Sequence, residues 1–174
     1  LYTGIMTDTG RLDYSSNYSE VYNVMGKLVG MGVNKMFIHD KINNVYSYDR
    51  FRLQSKIMKD NFVYLPEYHA GYMMITNQDK KDFHFQLGDS EGFVNMPLCM
   101  KDLKFVALFT EYEKGPVKVS LRSKGKFPAS SFATEFFNGG GHFNAAGGKH
   151  FGTLTEAIEV FKNGLEKYKD KLEK

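Results

Sequence analysis

The chain has 174 residues, a formal net charge of +3 and 42% hydrophobic residues, including 15 Phe and 11 Tyr. That length fits one domain and that composition is enough for a packed core, which excludes global disorder; the mild positive charge suits an anionic ligand without being a nucleic-acid signature. One cysteine, Cys99, excludes an internal disulfide or a cysteine-rich metal cluster and points to a reducing, cytoplasmic setting, and no apolar run approaches the ~20 residues that cross a bilayer.

In chain order, the first twelve residues, LYTGIMTDTGRL, read as the end of an apolar strand and a glycine-bearing turn. No signal peptide precedes this element, and a chain opening on Leu1 rather than Met reads as part of something longer. Asn17 and Glu20 have capping-box spacing, and Val21, Val24, Met25, Leu28 and Met31 recur at helical intervals up to a stop at Gly32. Residues 35–42 and 48–59 read as two further short helices. After Asn61 the texture becomes strand-like: Tyr72, Met74 and Thr76 alternate with their neighbours, and 83–87, 104–112 and 117–122 follow the same pattern. In the last of these Val117, Val119 and Leu121 share one face, which leaves Lys118, Ser120 and Arg122 on the other. Lys114-Gly115-Pro116 turns the final two strands into a hairpin. A helix over 130–137 runs into a glycine cluster. Thr153 with Glu156 then opens a last helix striped by Leu154, Ala157, Ile158, Phe161, Leu165 and Tyr168, beyond which a lysine-rich tail is expected to fray. The fold class is α/β: a mixed β-sheet with flanking helices, preceded by a helical linker. The expected divisions are 1–16, 17–60 as the linker and 61–174 as the sheet domain.

Three motifs could carry chemistry. In the segment NGGGHFNAAGG (138–148), Gly139, Gly140 and Gly141 remove every Cβ, so a ligand can approach the backbone and meet its N–H groups. His142 adds a donor whose charge depends on its surroundings. A glycine triplet taken alone is more often a turn than a site. In SLRS (120–123), Arg122 can hold a phosphate in a bidentate fork and Ser123 can add a hydroxyl, although a solvated arginine is the commoner fate of such a residue. In TDTG (7–10), Asp8 stands where a hard-metal ligand would stand, yet one carboxylate cannot hold a catalytic metal. Asn95, within EGFVNMPL, is a further polar group able to touch a ligand. The His39-Asp40 pair lacks the separated partners of a phosphohydrolase centre. There is no P-loop, GxGxxG, nucleophile elbow or HExxH.

The ordered set GIMTDTGRL, SLRS and GGGHFNAAGG, with EGFVNMPL between, resembles the DHH phosphoesterases across essentially the whole chain. In particular it is similar to the bacterial branch that degrades nano-RNA and 3′-phosphoadenosine 5′-phosphate, in which a DHH-associated domain follows the catalytic domain. The resemblance makes 1–16 the last strand of the catalytic domain and 61–174 the substrate-binding domain. It implies that Asp8 ligates one of two Mn²⁺ ions (Mg²⁺ being the alternative), that Arg122 and Ser123 bind the substrate phosphate, and that Gly139, Gly140, Gly141 and His142, with Asn95 as a further contributor, bind the terminal nucleotide. It also implies a short RNA or nucleotide as substrate, an N-terminal DHH domain as the missing partner, a homodimeric habit, no membrane association and hydrolase chemistry in the full-length protein. The DHH triplet and the earlier metal motifs are absent from this chain, so the chain alone is expected to be inert. The rival readings are a stand-alone RNA- or tRNA-binding module, like the related domain that closes many alanyl-tRNA synthetases, and a member of the exopolyphosphatase or pyrophosphatase branch.

Overall fold

A computed structural model describes residues 1–13 and 16–173 of the chain, in two units, Leu1–Tyr46 and Ser47–Lys174. The smaller unit carries helices α1 (Tyr2–Asp8), α2 (Ser19–Gly30) and α3 (Lys35–Asn43). The strand expected at the start is a helix instead. Its β-branched threonines suit a helix here because they return their hydroxyls to the preceding turn, Thr7 to the Thr3 carbonyl at 3.1 Å and Thr9 to that of Ile5 at 2.6 Å. The expected turn follows, with Gly10, Arg11 and Leu12 all at positive φ. Tyr18, not Asn17, occupies the N-cap of α2, and no side chain caps it. At its other end Gly32 takes φ 89°, and the Val33 N–H reaches back to the Leu28 carbonyl at 3.2 Å, an αL closure of the expected kind. No residue of α2 or α3 is buried.

The larger unit begins with α4 (Tyr48–Asp60), capped by the Ser47 hydroxyl, which accepts the Arg50 N–H at 3.0 Å. A six-stranded sheet follows, with β1 (Phe62–Leu65), β2 (Ala70–Ile75), β3 (Phe105–Thr110), β4 (Val117–Ser123), β5 (Gly140–His142) and β6 (Ala145–His150) in the spatial order β1-β2-β3-β4-β6-β5. Neighbours are antiparallel except β2 and β3, which run parallel. Between those two the chain passes through α5 (Asn77–Asp82) and a 3-10 helix, Phe93–Cys99. After β4 come α6 (Ala129–Phe137) and, past β6, α7 (Leu154–Lys167) and α8 (Lys169–Glu173).

Each face of the sheet has its own core. On one, β4 contributes Val117, Val119 and Leu121, as its alternation predicts, and β6 contributes Ala146; α6 and α7 cover them with Phe132, Phe137 and Phe161. This core is aromatic: Phe105 stacks tilted on Phe127 at 4.3 Å between centroids and meets Phe132 edge-on at 4.9 Å. On the other face, Leu53 and Ile57 of α4 and Phe93 and Val94 of the 3-10 helix pack on Met73 and Ile75 of β2 and Val106 and Leu108 of β3. That second core takes its buried strand residues from β2 and β3. The same face of β4, β6 and β5 lies outside it.

Three further expectations give way. Residues 83–87 form no strand: Phe83 closes α5, His84 turns at φ 46°, and Phe83 and Phe85 are two rings anchoring a loop on the second core. Thr76 is the N-cap of α5, in a capping box with Asp79, rather than a strand residue. The tail does not fray at once, because α8 buries Leu172 completely and the Lys104 ammonium donates to the Leu172 carbonyl at 2.5 Å. The helices at 35–42, 48–59 and 130–137, the strands at 104–112 and 117–122 and the Thr153–Glu156 box are where the sequence puts them.

Candidate functional site

Asn138, the left-handed C-cap of α6 at φ 48°, turns the chain out of the helix, and the Gly139 N–H closes the last turn on the Ala133 carbonyl at 3.1 Å. The glycines then enter β5, which pairs with β6 through a two-residue turn, Phe143-Asn144. The glycine segment is therefore the rim of the sheet rather than a free loop. It is also tightly backed: a Cβ on Gly148 would meet the Phe137 carbonyl oxygen at 2.5 Å, so α6 lies almost against β6.

Register decides what stands beside what, since antiparallel partners share a face. Arg122 of β4 faces Ala145 of β6, and Ala145 faces His142 of β5. One step along, Ser120, Gly147 and Gly140 form the next row, and beyond them Lys118 faces Lys149. All of these lie on the face that the second core leaves uncovered, because Arg122, Ser120 and Lys118 are paired with Val106, Leu108 and Thr110 of β3. With strands about 4.8 Å apart, Arg122 and His142 stand roughly 10 Å from one another at the backbone, across a floor of one methyl group and glycine. The Arg122 guanidinium leans across β6, with Nη1 2.9 Å from the Leu121 carbonyl and 3.5 Å from that of Ala146. Its charge is permanent, and its planar fork matches a phosphate. His142 is exposed at the rim.

The 3-10 helix that carries Asn95 packs on the same face, over β3 and β4, where Asn95 is half-buried. Two cations fix this segment: Arg50 donates to the Glu91 carbonyl at 2.8 Å, and Lys124 donates to the carbonyls of Leu98 and Met100 at 2.9 and 2.7 Å. Ser123 faces the other way. It is buried, donates to the Phe127 carbonyl at 2.7 Å and accepts from Asn144 Nδ2 at 2.8 Å, so its hydroxyl ties the β5–β6 turn to the loop before α6. Asp8 is an exposed residue at the end of α1, and among the described residues no three His, Cys, Asp or Glu side chains converge as a metal site. Asp8 offers a single carboxylate, and a metal pair would need further ligands beside it.

The sequence reading passed over Asn144, whose amide also reaches the Gly125 carbonyl at 3.2 Å, and the pair Lys118 and Lys149. Alternation in β4 places Lys118 on the same side as Arg122. Lys149 is found only once AAGGKH is known to be a strand.

The sheet carries helices on both faces, and its rim strand runs from within the glycine triplet to a histidine. Residues 71–171 match the DHHA1 domain family, and the chain belongs to it. The chain is 32% identical over 146 residues to the bifunctional oligoribonuclease and PAP phosphatase NrnA of Thermus thermophilus, an alignment covering 83% of this chain and 42% of that protein. It is 25% identical to the protein of the same name from Mycoplasma genitalium, over 84% of this chain and 44% of the other. A crystal structure of an exopolyphosphatase-related protein from Bacteroides fragilis superposes with a TM-score of 0.95 at 43% identity, covering 99% of this chain and 50% of that one. The chain thus spans about half the length of the relatives it matches. Among the described residues no helix is long and apolar enough to cross a membrane.

Proposed function

We propose that this chain is the substrate-binding half of a metal-dependent DHH-family phosphodiesterase that hydrolyses short oligoribonucleotides, linear or cyclic dinucleotides, or 3′-phosphoadenosine 5′-phosphate. The observation that carries the reading is the row Arg122–Ala145–His142, which sets two donors on either side of a side-chain-poor floor. The names of the curated relatives point to the same chemistry. In this reading Arg122 holds a substrate phosphate and His142 and Gly140 receive the terminal nucleotide. Asn95 contributes from the adjacent helix, and Ser123 acts through Asn144 by fixing the turn that carries His142. Asp8 supplies one ligand to a pair of Mn²⁺ or Mg²⁺ ions, whose other ligands lie outside this chain. Bound there, such a pair would supply Lewis-acid activation of water for hydrolysis. The residues here bind and orient.

The test uses the full-length protein with Mn²⁺ against a 5′-labelled RNA length series and 3′-phosphoadenosine 5′-phosphate. His142→Ala should weaken substrate binding by about 1–3 kcal/mol, roughly 5- to 150-fold in KM, while metal content stays at the wild-type level. Equal cleavage of dinucleotides by this variant and the wild type would overturn the role of the rim strand. The 174-residue chain by itself should release no product, and Mn²⁺-dependent hydrolysis by the purified chain would show that the missing ligands are not needed.

A further inference from the structure

The uncovered sheet face carries more positive charge than one phosphate requires. Lys118 and Lys149 stand directly opposite one another on β4 and β6, both exposed. Like charges in this position destabilise an antiparallel pair. Among the described residues neither lysine makes an ion pair or hydrogen bond that would relieve it. The acidic groups nearby are engaged elsewhere: Glu113 pairs with Lys81 at 2.9 Å, and Glu111 accepts the Asn77 N–H at 2.9 Å. A third ammonium, that of Lys80, lies 3.4 Å above the Tyr112 ring and donates to the Glu111 carbonyl. Burial lowers its pKa, Glu111 opposes this, and Lys118 lowers it further. The lysine pair lies four residues along β4 from Arg122, about 13 Å at a strand's rise, with Ser120, Gly147 and Gly140 forming a floor between.

We propose that Lys118 and Lys149 form a distal phosphate-binding pair that engages the further phosphates of a linear oligonucleotide whose terminal nucleotide is held at Arg122 and His142. The pair thereby separates oligonucleotides from single nucleotides. This rests on the reading given under Proposed function. A dinucleotide's one internal phosphate stays near Arg122; longer chains extend over the glycine floor and reach the lysines. The unrelieved repulsion of the pair is then answered by substrate.

The experiment is equilibrium binding of the chain to fluorescently labelled RNA of two to five nucleotides, and to 3′-phosphoadenosine 5′-phosphate by competition, over a salt series. The proteins are wild type, Lys118→Glu, Lys118→Glu with Lys149→Glu, and Arg122→Ala. Lys118→Glu creates an opposite-charge pair with Lys149, so its melting temperature should hold or rise, which separates lost binding from lost folding. The expected result is a roughly tenfold loss of affinity for tri- to pentanucleotides in the double variant, with dinucleotide and bisphosphate binding unchanged. The slope of log affinity against log salt should also fall by about 0.7 for each phosphate contact removed. Arg122→Ala should weaken every ligand. Lysine variants that bind all lengths as the wild type does overturn the distal pair while leaving the Arg122 site standing. The same holds if they lose all ligands equally, or if tripolyphosphate competes as well as a trinucleotide. A wild-type chain that binds none of these ligands overturns both readings.

Discussion

A Cβ at Gly139 would lie 2.0 Å from the Gly147 carbonyl oxygen, and one at Gly141, where φ is 142°, would lie 2.6 Å from that of Ala145. At Gly140 a Cβ would meet nothing within 4 Å. Two of the three glycines are therefore demanded by the backbone of the rim strand, while the middle one faces open space, where the proposed nucleotide would lie. Gly139→Ala should cost about 1–3 kcal/mol, as overpacking does, read as a fall in the midpoint of urea unfolding. Gly140→Ala should leave that midpoint within roughly 0.5 kcal/mol of wild type and instead weaken nucleotide binding. A Gly140→Ala protein with undiminished affinity would remove Gly140 from the site. The sequence shows the triplet but not this division of labour, which depends on contacts with β6. Ser123 teaches the same lesson in reverse. Alternation along β4, visible in SLRS, already sets Ser120 with Arg122 and turns Ser123 inward, and its partners Phe127 and Asn144 show what the inward hydroxyl does.

Among the elements, α7 is legible in full because its signals are local. Thr153 accepts the Glu156 N–H at 3.2 Å, the Glu156 carboxylate accepts the Thr153 N–H at 2.7 Å, and the apolar stripe behind them is the one the core buries. The Thr153 backbone N–H, then its hydroxyl, hold the Glu156 carboxyl below its usual value of 4.5. A depressed carboxyl stabilises the fold above the unfolded value and loses that contribution as pH falls through the folded one. The stability difference between wild type and Glu156→Gln should thus be full at neutral pH and shrink below about pH 4.5, as thermal melts across pH would show. A gap that stays constant into acid would mean that the carboxylate's charge plays no part. By contrast, β5 and β6 were illegible as strands. Gly and Ala have poor strand propensity, and the glycines are set by close backbone approach, Gly148 to Phe137 of α6 and Gly139 and Gly141 to β6 itself. The run 83–87 misled for the opposite reason: alternating aromatics are what a strand offers, but here Phe83 and Phe85 pin a loop whose Leu87 is fully exposed.

At the scale of the whole chain, helices back one face of the sheet across β2 to β6, while on the other α4 and the 3-10 helix reach from β1 to β4 and bury strand residues of β2 and β3 alone among the described residues. The fold class follows from the order of patterns. The half-covered sheet does not, because it depends on where α4 and the 3-10 helix dock, and the second face of β4 reads like any solvated strand surface. Only the resemblance of the ordered motifs to a known family gave that surface a purpose.

The rim strand is three residues long and pairs on one side alone. Its amides belong to the part of the sheet with the least to lose by opening, so in the free chain the Gly140–His142 segment should exchange its amide hydrogens well before β3 and β4 do. A nucleotide spanning Arg122 and His142 would bridge an interior strand and the rim, and would slow that exchange without changing the rate in the core. Hydrogen-exchange mass spectrometry with and without 3′-phosphoadenosine 5′-phosphate reads this directly. Recognition here would be the locking of a sheet margin, and an unchanged exchange rate at the rim on saturation would show that the margin is already locked.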